Sequence, residues 1–304
     1  MPFASRVARV CRTRSAQPYS AIHPSRIRRA VLLRELTIDA CGRTATYPFS
    51  VPAVQAIARL EFRRPVTCLV GENGSGKSTL LEGLAVAARL PTIGSVPVAR
   101  DPTMRAAREL GSAIRLAWSG GRSRTHRGFF LRAEDFFGFT KALAKEREEL
   151  LREMAEVAVA YADRSAEAKT LKLGPLRSSL AAMEHRYGTD LDANSHGESF
   201  LALFRSRFVP GGLYLLDEPE APLSPTSQLA MLVMLQEMVA QDAQFIIATH
   251  SPILLAYPDA EIWSFDERPP RAVPFDELEH VRVTRDFLAA PERYLRHLRH
   301  QVDS

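Results

Sequence analysis

The apolar positions of this chain fall mostly into short continuous runs, and one long segment carries a helical stripe. Short runs rich in Val, Ile, Leu and Phe read as buried strands, whereas apolar residues recurring at three and four read as one helix face. On that basis residues 31–38, 58–62 and 66–70 are predicted strands, the last ending in a glycine-rich turn. Residues 78–90 take helical spacing and stop at Pro91. The stretch 91–127 reads as irregular, rich in Gly, Pro and Arg, with one strand at 113–118, and 128–133 is the next strand. From 140 to 168 the pattern is strongly helical. Leu143, Leu150, Met154, Val157 and Tyr161 share one face, with Glu148 and Arg152 as an i,i+4 pair on another. The spacing predicts a helical arm paired with residues 176–187 beyond a break at Gly174-Pro175; the same stripe also reads as plain core packing. Strands follow at 213–216 and 245–248, separated by a helix over 226–240. A strand at 261–265 and helical stretches at 284–288 and 291–300 complete the pattern, and no repeat of solenoid length is present.

Composition adds bounds. With 304 residues, 46% of them hydrophobic and 25% charged, the chain can bury a core as one large domain. No apolar run approaches the roughly 18 residues that a membrane span needs. Cys11, Cys41 and Cys68 are scattered with no CxxC pair, so neither a disulfide framework nor a cysteine zinc site is expected, and a cytoplasmic location is.

The net charge of +5 is misleading. Residues 1–30 hold seven arginines and no acid, and the rest carries 33 basic against 35 acidic residues. The expected organisation is a flexible basic tail over 1–27, then a single domain over 28–304 with a helical insertion at about 137–190. Such a tail can touch nucleic acid or an acidic membrane; it also reads as a transit peptide or the product of a misassigned start. The near-neutral body gives no basic footprint for nucleic acid. The 35 arginines against 5 lysines also fit GC-rich codon usage, so abundant Arg says little about phosphate recognition.

The candidate chemistry is concentrated in three places. Gly71-Glu72-Asn73-Gly74-Ser75-Gly76-Lys77-Ser78, followed by Thr79, fits G-x-x-x-x-G-K-[ST] between a predicted strand and a predicted helix. Its glycines let backbone N–H groups surround phosphate oxygens, Lys77 reaches the β- and γ-phosphates, and the Ser78 hydroxyl can ligate Mg²⁺. Leu213-Tyr214-Leu215-Leu216-Asp217-Glu218 is an apolar strand ending in two carboxylates. Asp217 is the expected Mg²⁺ residue and Glu218 the group that polarises the attacking water. His250 ends a further apolar run, where a γ-phosphate contact is expected.

Together these residues resemble an ABC-class ATPase head. GENGSGKST is similar to its Walker A motif, LYLLDEPE to Walker B and THS to the segment carrying its switch histidine. Asn194-Ser195-His196-Gly197-Glu198-Ser199 resembles the core of the LSGGQ signature. The resemblance spans roughly residues 31–300, and within the class it is to the bacterial "predicted ATPase" group often labelled AAA-family ATPases. It implies an α/β P-loop NTPase fold, a mixed or parallel sheet flanked by helices, with ATP and Mg²⁺ as ligands. It also implies a homodimer in which Ser195 and Gly197 of one head complete the site on Lys77 of the other, with Glu218 and His250 catalytic. Tyr47 is the candidate for stacking on adenine, with Phe49 an equal rival. The chain departs from the pattern in places. Asn194, His196 and Glu198 replace signature residues, Ser224 stands at the D-loop acid, and no glutamine occurs between Thr79 and Ser195. Glu134 is the nearest stand-in for that glutamine and a candidate Mg²⁺ ligand; it also reads as a solvated residue near a helix start.

Three functions follow: a hydrolysing homodimeric switch, an ATP-binding subunit of an ABC transporter, or a non-hydrolysing ATP-binding module. The missing glutamine and altered D-loop weigh against the second, and Asp217 with Glu218 against the third. After His250 the sequence runs only to Ser304, so effector activity is expected from an unknown partner protein.

Overall fold

A computed structural model describes residues 31–93, 104–121, 127–187 and 196–299. Five parallel strands build the main sheet: β3 (Val66–Val70), β5 (Gly128–Arg132), β6 (Leu213–Asp217), β7 (Gln244–Ala248) and β8 (Glu261–Ser264). Their order is β5-β6-β7-β3-β8, and the short β9 (Arg271–Ala272) pairs antiparallel at the edge. β3, β6 and β7 are buried at every position, as strands covered on both faces must be, and this is why they read as unbroken apolar runs. A second, antiparallel sheet has the order β2-β1-β4, from β1 (Leu33–Ile38), β2 (Arg59–Glu61) and β4 (Ile114–Trp118). The buried Gln244 side chain ties the two sheets together. Its Oε1 accepts from the N–H groups of Leu32 (2.9 Å) and Leu33 (2.7 Å), and its Nε2 donates to Leu33 O (3.0 Å).

Helices cover both faces of the main sheet. α1 (Pro52–Ala56) and α2 (Lys77–Ala87) bracket β3 in sequence. α3 (Arg105–Ala113) corrects the reading of 91–127 as irregular around one strand. It buries Ala107, Leu110 and Gly111 against α2, and a Cβ on Gly111 would lie 2.7 Å from Val86. Its apolar spacing was hidden among arginines.

α4 (Ala133–Ala160) and α5 (Ala166–Tyr187) form the paired arm, beginning directly after β5 rather than near residue 137. Leu143 is buried while Leu150, Met154, Val157 and Tyr161 are half-buried, so the stripe faces inward. The expected break at Gly174-Pro175 is absent, because α5 runs through Pro175. Gly174 has no Cβ, which removes one of the clashes that proline makes with the residue before it in a helix. Arg152 lies 3.9 Å from Glu156 rather than pairing with Glu148, and Arg147 spans the arm to Glu184 at 3.6 Å.

α6 (His196–Arg207) turns Phe200, Leu203 and Phe204 fully into the core. There Phe204 and Phe208 stack with ring centres 5.0 Å apart, and Phe208 meets Tyr214 edge-on at 4.7 Å. α7 (Pro225–Val239), α8 (Pro252–Leu255), α9 (Glu279–Ala289) and α10 (Pro291–Arg299) complete the chain. No helix among the described residues is long and apolar enough to cross a membrane. The basic tail lies outside the described residues.

Candidate nucleotide site

Four parallel strands deliver their C-terminal ends to one edge, and each end carries chemistry. β3 leads into the glycine-rich loop, β6 into Asp217 and Glu218, β7 into Thr249 and His250, and β8 into Phe265 and Asp266. The carboxyl edge of a parallel sheet is where α/β folds bind ligands, because strand-to-helix turns leave a crevice there.

The loop needs its glycines for space as well as for backbone angle. Gly76, at the N-cap of α2, has φ +101°, and a Cβ there would lie 2.6 Å from Val51 Cγ1. The loop therefore lies directly against the segment entering α1. Lys77 is 5% exposed. Its Nζ donates to Gly71 O at 2.6 Å, Glu72 O at 3.0 Å and Ser75 Oγ at 3.3 Å. The ammonium is thus folded back over the loop. Burial lowers its pKa, and the nearby carboxylates of Glu218, Asp217, Asp266 and Glu220 oppose that shift.

Ser78 Oγ donates to Asp217 Oδ1 at 3.1 Å, across a sequence gap of more than a hundred residues. A hydroxyl and a carboxylate in contact are hard oxygen donors suited to Mg²⁺, and they leave room for phosphate oxygens to supply the remaining ligands. Asp217 is 8% exposed, and burial pushes its carboxyl up to about 7 despite the hydroxyl's hydrogen bond. A raised folded pKa means that stability is full below the ordinary value and is lost as pH climbs through about 7. A shift of this size corresponds to roughly 4 kcal/mol at about 1.4 kcal/mol per unit. Asp217→Asn is therefore expected to raise the melting temperature of the nucleotide-free protein at pH 8 and to change it little at pH 4. Calorimetry at the two pH values checks this, and equal shifts at both would contradict it.

Glu218 stands just past β6 with φ +47°, a left-handed conformation rare outside glycine, held by its N–H donating to Ala248 O at 2.9 Å. The turn brings Glu218 Oε1 to 4.0 Å from His250 Nε2. Glu220 Oε1 in turn accepts the His250 N–H at 2.7 Å, which fixes the strand end that carries the histidine.

Several residues here were not singled out from the sequence. Asp266 Oδ1 accepts the Glu72 N–H at 2.7 Å and so anchors the base of the loop. Arg132, in register beside Asp217 on the neighbouring strand, holds Asp135 through two bonds of 2.9 Å and reaches Glu82 at 3.4 Å. Neither position carries a local motif; only the strand order brings them to the site.

The remaining candidates sit as follows. Phe49 is 1% exposed, with the Arg43 guanidinium 4.4 Å over its ring, so it is committed to the core. Tyr47 is 57% exposed. Gly197 lies in the first turn of α6, and Ser195 is outside the described residues. Glu134 lies in the first turn of α4.

Comparison with known proteins agrees at the loop. Residues 55–88 match the AAA domain family. The match spans the glycine-rich loop with β3 before it and α2 after it. Over 191 residues the chain is 26% identical to the macrolide export ATP-binding/permease protein MacB of Hahella chejuensis; the match covers 63% of this chain and 26% of that protein's length. Among solved structures, the Smc head domain of Pyrococcus furiosus bound to the C-terminal domain of ScpA is similar, at 13% identity and a TM-score of 0.41. That match covers 80% of this chain and 96% of the other. An ATP-binding cassette of an ABC transporter in its ADP conformation shows 16% identity and a TM-score of 0.40, covering 77% of this chain and 88% of the other. The fold is α/β, a mixed sheet flanked by helices, with the phosphate loop between its central strand and the following helix.

Proposed function

We propose that the chain is an ABC-type ATPase that binds and hydrolyses Mg²⁺-ATP and acts as a nucleotide-dependent homodimeric switch. The supporting observation is convergence on one sheet edge. Lys77, the Ser78–Asp217 pair and the Glu218–His250 pair come from three separate strands and meet where a triphosphate fits. The loop N–H groups and α2 hold the phosphates. Lys77 exchanges the loop carbonyls for phosphate oxygens, and Ser78 and Asp217 hold Mg²⁺, which when bound neutralises phosphate charge. Glu218 takes the role of orienting and deprotonating water, and His250 stands next to it to contact the γ-phosphate side. Tyr47 stacks on the adenine, and Glu134 stands in for the missing glutamine.

Ser195 and Gly197 of a second copy supply the remaining donors, which exist only in the closed pair. Ser195→Arg is expected to leave ATP binding intact while cutting turnover by at least about a hundredfold, the scale of losing such a donor. Nucleotide titration and phosphate release on the same sample check this, and surviving turnover would rule out the shared site. A second reading, a transporter's ATP-binding subunit, draws support from the likeness to MacB. It requires stable co-purification with a membrane subunit.

A further inference from the structure

β6 and β7 pair side by side only as far as Asp217 and Ala248. One more backbone bond, from the Glu218 N–H to Ala248 O at 2.9 Å, closes the ladder. The reactive groups lie beyond it. Glu218 begins the turn 218–224 that leads to α7, and His250 sits in the three residues 249–251 between β7 and α8. Glu218 Oε1 and His250 Nε2 are 4.0 Å apart, yet strand pairing no longer sets that distance.

Side chains from the turn and from α7 take over. Glu220 Oε1 accepts the His250 N–H at 2.7 Å. One residue further on, Ser251 Oγ donates at 2.5 Å to Oε1 of Gln228, near the start of α7. Gln228 Nε2 donates to Leu223 O at 3.1 Å, and the Leu223 N–H donates to Glu220 O at 2.8 Å. These bonds close a loop through Glu220, His250, Ser251, Gln228 and Leu223. Ser251 is 6% exposed, and its hydroxyl also accepts the N–H groups of Ile253 (3.1 Å) and Leu254 (3.2 Å) at the start of α8. Position 228 must accept from a hydroxyl and donate to a carbonyl at the same time, which a side-chain amide does and a carboxylate or thioether does not.

We propose that Gln228 is a positioning residue for His250: through Ser251 it pins the segment carrying that imidazole to the turn carrying Glu218. This rests on the reading of Glu218 and His250 as the pair that handles the attacking water and the γ-phosphate. Gln228 makes no bond to the phosphate loop, to Lys77 or to the Ser78–Asp217 pair in this arrangement. Loosening it therefore leaves Mg²⁺-ATP binding in place and slows the step that needs His250 held beside Glu218.

The test uses the full chain with Gln228→Met, which keeps the shape without the hydrogen bonds, with Ser251→Ala, and with both together. A misplacement of about 1 Å costs on the order of a hundredfold, and the smaller shift from loosening one brace is expected to cost about tenfold in kcat. KM should stay within about twofold in Gln228→Met, since binding contacts are unchanged. Adding Gln228→Met to Ser251→Ala should change kcat by less than about twofold, because the bond it removes is already gone. No loss of kcat in Gln228→Met, or a double variant whose loss is the product of the single losses, overturns the proposal. A second readout does not depend on turnover. The ring resonances of His250, identified by their disappearance in His250→Ala, are compared by NMR between the wild type and Gln228→Met at one fixed pH. They are expected to shift, and unmoved resonances overturn the proposal. If the wild type releases no phosphate at all, the hydrolysis reading fails, and the NMR comparison alone decides whether Gln228 positions the histidine.

Discussion

Replacing Lys77 with alanine is expected to abolish ATP binding. Lys77 is the loop's own cation, and it is already pre-placed over the loop by three hydrogen bonds to Gly71, Glu72 and Ser75. Those bonds are made to neutral oxygens and can be exchanged for charged phosphate oxygens. A hydrogen bond to a charged group contributes about 1.5–3 kcal/mol, so losing two of them costs on the order of a hundredfold to ten-thousandfold in affinity. Fluorescent-nucleotide titration measures the loss. Lys77→Ala also removes bonds within the loop, so a melting curve of the unliganded variant establishes that it is folded. An unchanged dissociation constant in the folded variant would overturn the assignment of the loop.

The second large effect is on the chemical step. Glu218→Gln is expected to reduce turnover by about a hundredfold to ten-thousandfold, the range for losing a general base. ATP binding is retained because Lys77, Ser78 and Asp217 remain. The variant should then accumulate as an ATP-bound dimer, visible by light scattering with and without Mg²⁺-ATP. A mutant as active as wild type would show that another group positions the water.

The parts of the site that were legible in the sequence are those whose chemistry is local. The phosphate loop has fixed internal spacing, and Asp217-Glu218 follows a strand buried on both faces, so each was visible from neighbouring residues alone. The main-sheet strands were legible for the same reason, to within a residue or two at their ends. What could not be read depends on strand order. Asp266 matters because β8 lies beside β3, and Arg132 because β5 ends beside β6. The helix α9 was placed from sequence only over 284–288, since Val281 is the sole buried residue within it. The continuous α5 differs from the expected break because Gly174-Pro175 carries a strong local stop signal, which the absent glycine Cβ relieves only in part. Residue type leaves Tyr47 and Phe49 equal candidates for the adenine; in the structure Phe49 is buried under Arg43 and Tyr47 is exposed.

An ATP-hydrolysing site completed by a second copy of the chain is tested by phosphate release from Mg²⁺-ATP across a protein dilution series, with Glu218→Gln alongside. A shared site gives specific activity that climbs with protein concentration and vanishes in the variant. Activity independent of concentration would contradict the shared site, and ATP bound without any phosphate release would contradict hydrolysis itself.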